Sequence, residues 1–354
     1  MKNKLKIAIV GFGKRGKTHF RNYQSFPHVE IAAVCDSNEE LLRGVGVPIC
    51  SDYKRTINDY DIDGVSICVP TKFHYDIARY CLMKDKHVLV EKPVTINVKE
   101  AKVLQELSVK RGVVCMAGYS LRFDRNIEKI KDILENGEIG NVIAVRGRQA
   151  HNWGGKQPFD WHINKKISGG GTIIDNGSHY FDLLDDLFGP IVEINAVASN
   201  GGLHSPVEDT SIISLRFANG LIGSIETSWA DARGRNNELI IWGKKAVIEY
   251  SESNRGGDLN IVSYGSNKDE WNRLTEETLY IPRGIEQIIK QSNIDNNKAL
   301  LAESTANMLG YFLTLISDGS ARTKFLDKHD LVRSVVLVDL AYKSLGQHRS
   351  VKTV

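Results

Sequence analysis

Asp175 and His179 stand four residues apart in the stretch Gly169 to Asp182, GGGTIIDNGSHYFD. On a helix that spacing puts both side chains on one face, one turn apart. A carboxylate so placed holds an imidazole in one tautomer and stabilises the imidazolium formed when the ring accepts a proton, which is the geometry of an oriented general base. Asp182 follows three residues later. The plainer reading is a surface hydrogen-bonded pair. No metal is expected, because two carboxylates and one histidine have no second cluster of ligands nearby. Lys92 is the third candidate. It directly follows the apolar run HVLVE and precedes Pro93, which restricts its backbone. An ammonium held there hydrogen-bonds a substrate hydroxyl and stabilises an alkoxide as hydride leaves. The bland alternative is a strand-end lysine in solvent.

These residues need elements to hold them. The three glycines before Thr172 let something approach the backbone closely, and Ile173, Ile174, Tyr180, Leu183, Leu184 and Leu187 then recur at helical spacing. A helix is expected to start here, with the polar pair off its core-packing face. Near the N-terminus the apolar run Leu5 to Val10 reads as a buried strand. It flows into Gly11-Phe12-Gly13-Lys14-Arg15-Gly16 and a helical stretch from Thr18 to Ser25, the dinucleotide fingerprint in its required context. The first glycine makes the tight turn, the second admits a pyrophosphate, and the third lets helix and strand pack, so the helix N-terminus faces the phosphates. A second strand, Ile31 to Cys35, ends at Asp36, twenty residues beyond Gly16. A carboxylate there accepts the ribose hydroxyls and repels a 2′-phosphate, so NAD is expected over NADP; Lys14, Arg15, Ser37 and Asn38 leave NADP open.

Further strands, Gly64 to Val69, His87 to Val90 and Val113 to Ala117, alternate with helical patterns at His74 to Lys84 and Val98 to Lys110. That alternation predicts a doubly wound parallel sheet whose ligands bind beyond the carboxyl ends of the strands. Pro70 and Thr71 with His74, and Glu91 with Lys92, occupy such ends.

The chain has 354 residues, 42% apolar and 25% charged, which fits a folded protein of two domains. A formal net charge of +3 with interspersed signs gives no electrostatic footprint for nucleic acid. The five cysteines are confined to the first third without C-x-x-C spacing, which favours buried reduced thiols over disulfides or zinc. The N-terminal apolar run is broken by Lys6 and reads as neither signal peptide nor membrane span. A cytoplasmic enzyme is expected.

Beyond Gly118, Arg122-Phe123 leads into an amphipathic helix through Leu134, and Val142 to Arg148 reads as the first strand of a second domain. The loop from Gln149 to Ser168 carries His151, Asn152, Trp153, Gln157, Trp161, His162 and Asn164. Aromatic faces beside amides and imidazoles suit a polyol or sugar, whose CH faces stack while its hydroxyls need directional partners. Arg122, Trp153 and Trp161 are the candidates for substrate contact alongside Lys92, Asp175 and His179. Strands follow at Ile194 to Ala198, Ser211 to Ala218 and Leu221 to Trp229, the last two joined by Asn219-Gly220, a type I′ turn signal. Leu239 to Trp242 and Ala246 to Tyr250 form another pair. Helices are expected at Gly284 to Ser292, Leu301 to Asp318 and Leu331 to Leu345, and Ser251 to Thr275 is polar and carries no clear pattern.

With the fingerprint, Glu91-Lys92-Pro93 and the GGG-x3-D-x3-H-x2-D segment in this order, the chain resembles the Gfo/Idh/MocA oxidoreductase family. The likeness runs from the fingerprint to the closing segment Asp327 to Val351. It implies a Rossmann domain, residues 1–121, and an α+β substrate-binding and oligomerisation domain, residues 122–354, built on a large open, mostly antiparallel sheet. It carries over Lys92, Asp175 and His179 as catalytic positions. Gly11, Gly13, Gly16 and Asp36 match the cofactor turn and ribose carboxylate; Pro70, Thr71 and His74 match a P-x3-H segment, and Glu91 with Lys92 lies beside the nicotinamide in such proteins. Where glucose-fructose oxidoreductase has an aromatic hydroxyl, this chain has His179, as the inositol dehydrogenases do. The resemblance implies an NAD-dependent dehydrogenase of a sugar, sugar derivative or cyclitol, assembled as a homodimer or homotetramer. Two rivals share the fold: a redox-neutral glycosidase that returns its hydride to the sugar, and a cofactor-responsive regulator without catalysis.

Overall fold

The computed structural model describes residues 4–153, 160–234, 236–253, 256–263, 275–278 and 296–353. The chain divides into two compact units: Met1–Ser120 with Lys166–Gly169 and Ala302–Val336, and Leu121–Lys165 with Gly170–Leu301 and Leu337–Val354.

Among the described residues, the first unit holds six strands: β1 (Leu5–Val10), β2 (Val29–Cys35), β3 (Ile49–Cys50), β4 (Gly64–Ile67), β5 (His87–Glu91) and β6 (Cys115–Gly118). They are all parallel, in the order β3-β2-β1-β4-β5-β6. This is the expected doubly wound sheet, and its order reverses between β1 and β4, where such sheets bind ligands. The strands read as unbroken apolar runs because both faces are covered: Ile7, Ala8, Ile9, Val65, Ile67, Val88, Leu89 and Val90 are all fully buried. The helix Val98–Arg111 begins on Asn97, whose side chain accepts from Glu100 N, and ends on Gly112 in the left-handed region. β3 and the helix Tyr53–Asp59 lie outside the sequence expectation; a two-residue strand and a seven-residue helix are too short to carry periodicity.

The helices of Ala302–Val336 return to this unit. Phe312 and Ile316 pack on Gly64 of β4, where a Cβ would stand 2.8 Å from Ile316 Cδ1. Tyr119 Oη donates to Ser334 Oγ at 2.9 Å, and Leu331 N donates to Gln105 Oε1 at 2.8 Å. The helix expected at Leu301 to Asp318 spans Asn296–Ser317, and Gly319–Lys328 follows it, started by the Asp318 side chain. The expected helix at Gly284 to Ser292 lies outside the described residues.

The second unit is built on β7 (Val142–Ala150), β8 (Ile191–Ser199), β9 (Thr210–Phe217), β10 (Ile222–Ser228), β11 (Asn236–Gly243), β12 (Ala246–Ser253), β13 (Gly256–Ser263), β14 (Thr275–Thr278) and β15 (Val351–Lys352). Among the described residues they form one sheet, ordered β14-β13-β12-β11-β7-β10-β9-β8-β15. Only β7 and β10 run parallel; the other pairs are antiparallel, as expected for the large mostly antiparallel sheet. β13 and β14 use parts of the polar stretch that carried no pattern.

The β9–β10 hairpin corrects one expectation. Gly220 is left-handed (φ 87°) but Asn219 is not, Gly220 N donates to Phe217 O, and Phe217 N donates to Leu221 O. This is a three-residue loop with the glycine at a bulge, not a type I′ turn, which needs two left-handed residues. Asn219 serves instead by accepting from Leu221 N and donating to Phe188 O.

Candidate active site

The first unit supplies a cradle for a dinucleotide. Gly11, at the end of β1, has φ 92°, and a Cβ there would meet the Cys68 carbonyl carbon and oxygen at 2.6 Å. A Cβ on Gly16 would stand 1.9 Å from Gly11 O, so the third glycine is what lets the helix Lys14–Gln24 sit against the turn. Gly13 differs from both: a Cβ there meets nothing within 4 Å, and this residue caps the helix without a side-chain hydrogen bond or an acid in the first turn. A helix N-terminus with open space in front of it and no built-in anion fits a pyrophosphate. Asp36 is fixed by the same turn. Its Oδ2 accepts from Phe12 N at 2.6 Å and its Oδ1 from Asn38 N at 2.9 Å, leaving lone pairs on both oxygens for ribose hydroxyls. Lys14 and Ser37 are exposed.

Arg15 is turned inward. Its Nε and Nη2 lie 3.0 and 2.7 Å from Glu91 Oε1, which also meets His19 Nε2 at 3.0 Å. Burial alone would raise the Glu91 carboxyl, but Arg15 and His19 outweigh it and hold it well below the usual carboxylate range. Glu91 is therefore an internal anion at the end of β5, fixing the strand end from which Lys92 follows. Arg15, engaged there, is not aimed at a 2′-phosphate. His19 Nδ1 lies 3.5 Å from Cys68 Sγ, whose thiol burial pushes well above its ordinary pKa. On the other side His74 spans two carbonyls, Nε2 to Val69 O and Nδ1 to Pro93 O, each at 2.8 Å. Burial lowers its pKa, and a neutral ring donates to one of the two. It ties the end of β4 to the cis Lys92–Pro93 peptide. Pro70 caps the short turn Thr71–Phe73, in which Thr71 is buried; Lys92 itself is half-buried.

In the second unit the Asp175 and His179 stretch is helical, but not a simple α-helix. Ile173–Gly177 is a π-helical turn that passes into the α-helix Ser178–Phe188, so the two residues straddle a change of pitch. The expected apolar stripe is broader than predicted. From Gly170 to Leu184 every residue is buried except Asp175 and His179, which are half-exposed. Asp175 Oδ2 accepts from the indole Nε1 of Trp229, a fully buried side chain, at 3.3 Å. What approaches the glycines closely is the protein itself: a Cβ on Gly170 would stand 1.9 Å from Tyr342 Oη, and one on Gly171 1.9 Å from Glu208 O. Asn176 Nδ2 donates to Gln149 O at 3.1 Å, and Tyr180 Oη donates to Glu238 O at 2.7 Å, seating the helix on β7 and β11.

Arg122, expected at the substrate, forms an ion pair within its own unit. Its Nε and Nη2 bond Asp182 at 2.5 and 2.7 Å, and its Nη1 bonds Asp186 at 2.7 Å, so all three nitrogens hold the far end of the catalytic-candidate helix. Asp182 thus belongs to this ion pair and not to the Asp175 and His179 pair. Trp161 stacks on His162 with centroids 3.6 Å apart; His162 lies 5.8 Å from Trp153, and Trp153 meets Trp229 edge-on at 6.3 Å. The loop aromatics therefore run as a chain of rings to the indole that holds Asp175. Gln157 lies outside the described residues. Sequence reasoning missed His19, Glu208, Trp229 and Tyr342, whose partners are 35 to 134 residues away and which no local spacing marks. Among the described residues no group of three or more His, Cys, Asp or Glu side chains is arranged to hold a metal ion.

A family model described as "Oxidoreductase family, NAD-binding Rossmann fold" matches residues 5–119, and one described as "GFO/IDH/MocA C-terminal domain" matches residues 127–249. The chain is 30% identical over 259 residues to the uncharacterized oxidoreductase YrbE of Bacillus subtilis, covering 69% of this chain and 73% of that one. It is 29% identical over 258 residues to myo-inositol 2-dehydrogenase of Thermotoga maritima, covering 69% and 74% respectively. Among solved structures, levoglucosan dehydrogenase in complex with NADH superposes with a TM-score of 0.84 at 23% identity, over 99% of this chain and 100% of that one.

Proposed function

Because the chain belongs to the GFO/IDH/MocA oxidoreductase family, with its NAD-binding Rossmann fold, we propose that it interconverts a secondary hydroxyl and a ketone on a sugar, sugar derivative or cyclitol. NAD, when bound, supplies the hydride acceptor. Gly11, Gly13, Gly16 and Asp36 hold it. Lys92, Asp175 and His179 carry the chemistry. His179 takes the hydroxyl proton, Asp175 stabilises the resulting imidazolium, and Lys92 binds the same oxygen as charge develops on it. The roles of Lys92 and His179 are exchangeable in this reading. The observation that carries it is the burial of Gly170 to Leu184 everywhere but at Asp175 and His179: a helix packed on all other sides keeps two polar side chains at its surface. Trp153 and Trp161 take the substrate's CH face, and Arg122 acts by holding the helix. The name of the Thermotoga maritima relative points to a cyclitol.

The test is NADH formation, with NAD and then NADP, against inositols, hexoses, sugar phosphates, nucleotide sugars and aminosugars. A stereospecific signal is expected with NAD. Lys92→Ala and His179→Ala are each expected to lower turnover about 10²- to 10⁴-fold while NAD affinity stays within about threefold. Retained turnover in both variants sinks the assignment; aglycone release without NADH would point to the redox-neutral glycosidase.

Two further proposals concern the whole molecule. Val197, Ile212 and Ile222 project from one face of the sheet at 51 to 60% exposure, with Val197 and Ile212 directly paired. That face joins copies into a homodimer or homotetramer, which sedimentation of the purified chain checks. The five cysteines are all free, in keeping with a reducing cytoplasm. No helix of the described residues is long and apolar enough to cross a membrane.

A further inference from the structure

Glu208 and Tyr342 belong to no motif, yet they meet at the start of the helix that carries Asp175 and His179. A helix begins with backbone N–H groups that have no partner inside it. Here a single residue takes three in succession. Glu208 Oε1 accepts from Gly171 N at 3.0 Å and Ile173 N at 3.2 Å, and Glu208 O accepts from Thr172 N at 2.9 Å. Tyr342, on the closing helix Arg333–Gln347, donates its phenol to the same Oε1 at 2.6 Å. Glycines at 170 and 171 are what make room for these groups.

The next residue extends the device. Asp209 is fully buried, its carboxylate is held by Leu203 N and Thr210 Oγ1, and its carbonyl accepts from Trp229 N at 2.8 Å. Trp229 in turn donates its indole N–H to Asp175. Two adjacent residues thus fix both the backbone ahead of Asp175 and the side chain that holds its carboxylate.

We infer that Glu208 and Tyr342 are positioning residues of the active site, a clip that sets the orientation of Asp175 toward His179. The inference rests on the catalytic reading of those two residues. An ordinary serine or threonine cap satisfies one amide and leaves the helix free to pivot about it; three bonds from one residue, itself held by a phenol, remove that freedom. Misplacement of reacting groups by about 1 Å costs about 10²-fold in rate, so a device of this kind acts on turnover more than on binding.

The experiment uses the full chain with Glu208→Met, which keeps the length of the side chain and removes the oxygen that accepts from Gly171 N, Ile173 N and the Tyr342 phenol, and with Tyr342→Phe, which removes the phenol alone. Phe217→Leu, in the core of the same sheet, controls for general loss of stability. Turnover, substrate KM, NAD affinity and the Trp229 indole N–H signal by NMR are measured for each. The expected result is a fall in kcat of about 10- to 100-fold in Glu208→Met and a smaller fall in Tyr342→Phe, with KM and NAD affinity within about threefold and a displaced indole signal. A kcat within about twofold of the wild type, or a loss no greater than that of Phe217→Leu at equal stability, overturns the inference. If the wild type turns over no substrate, the functional reading fails separately, and the indole signal decides: unmoved in both variants, it overturns the clip.

Discussion

Replacing Asp36 by Asn tests the cofactor site without reference to any substrate. The carboxylate sits where the adenosine ribose is expected, and a 2′-phosphate there would bring like charges to about 4 Å. Repulsion at that separation is about 1 kcal/mol in bulk water and about 4 kcal/mol at the effective dielectric of a protein surface. Removing it is therefore expected to shift the NADP to NAD affinity ratio toward NADP by about 5- to 700-fold, at tenfold for each ~1.4 kcal/mol. The substitution has a second effect, because both carboxylate oxygens hold backbone amides, Phe12 N and Asn38 N, and the new amide satisfies only one of them. That loosens the turn, at a cost of about 1–3 kcal/mol, but weakens both cofactors alike, so the ratio and not either constant is the readout. Arg15 does not complicate the result, since Glu91 holds its guanidinium. Calorimetric titration of the variant and wild type with each cofactor measures the ratio. A ratio unchanged within about twofold would refute the placement of Asp36 at the ribose.

Two predictions concern stability. A Cβ on Gly147 would lie 2.1 Å from the ring of Tyr180, which is fully buried between the helix Ser178–Phe188 and β7, so Gly147→Ala is expected to cost about 1–3 kcal/mol and to lower the melting temperature; an unshifted melt would contradict the packing. His87 begins β5, accepts from Val114 N, and faces Arg322 Nη1 at 3.2 Å; burial first and Arg322 second lower its pKa to about 4. The unfolded chain binds this proton near pH ~6.5 and the folded one only near 4, so the contribution is complete above about pH 6.5 and is lost as pH falls toward 4. The shift bounds the loss at about 3 kcal/mol. Urea midpoints across that range are expected to fall less steeply in His87→Asn, and an identical slope would remove His87 from the account.

The first unit was legible because its determinants are local. A buried strand, three glycines and an acid at the end of the next strand are written within 32 residues, and backbone sterics force their meaning: Gly11 and Gly16 have no room for a Cβ. The second unit was legible in outline, since alternating apolar residues announced strands from β7 to β12. Its details turn on partners far apart in sequence. The α-helical spacing of Asp175 and His179 put both on one helical stretch, but the π turn between them starts on Glu208, 33 positions after Asp175. Arg122 was read for substrate contact, and its ion-pair partners Asp182 and Asp186 lie some 60 residues on, where no local spacing marks them. The glycines before Thr172 signalled close approach correctly, and the approaching groups, Tyr342 and Glu208, left no trace in the local pattern.

The place of β7 in its sheet has a consequence for how the chain is made. Its two neighbours, β10 and β11, both lie downstream, with Ile222 pairing Ala144 and Asn236 pairing Ala150, about 80 residues later. A nascent chain therefore carries β7 with both edges bare until the second half of the unit has left the ribosome, and contacts of such sequence separation form slowly. The central strand, laid down first, waits unpaired until β10 and β11 have followed it, and that interval exposes the chain to edge-to-edge aggregation and to chaperone capture.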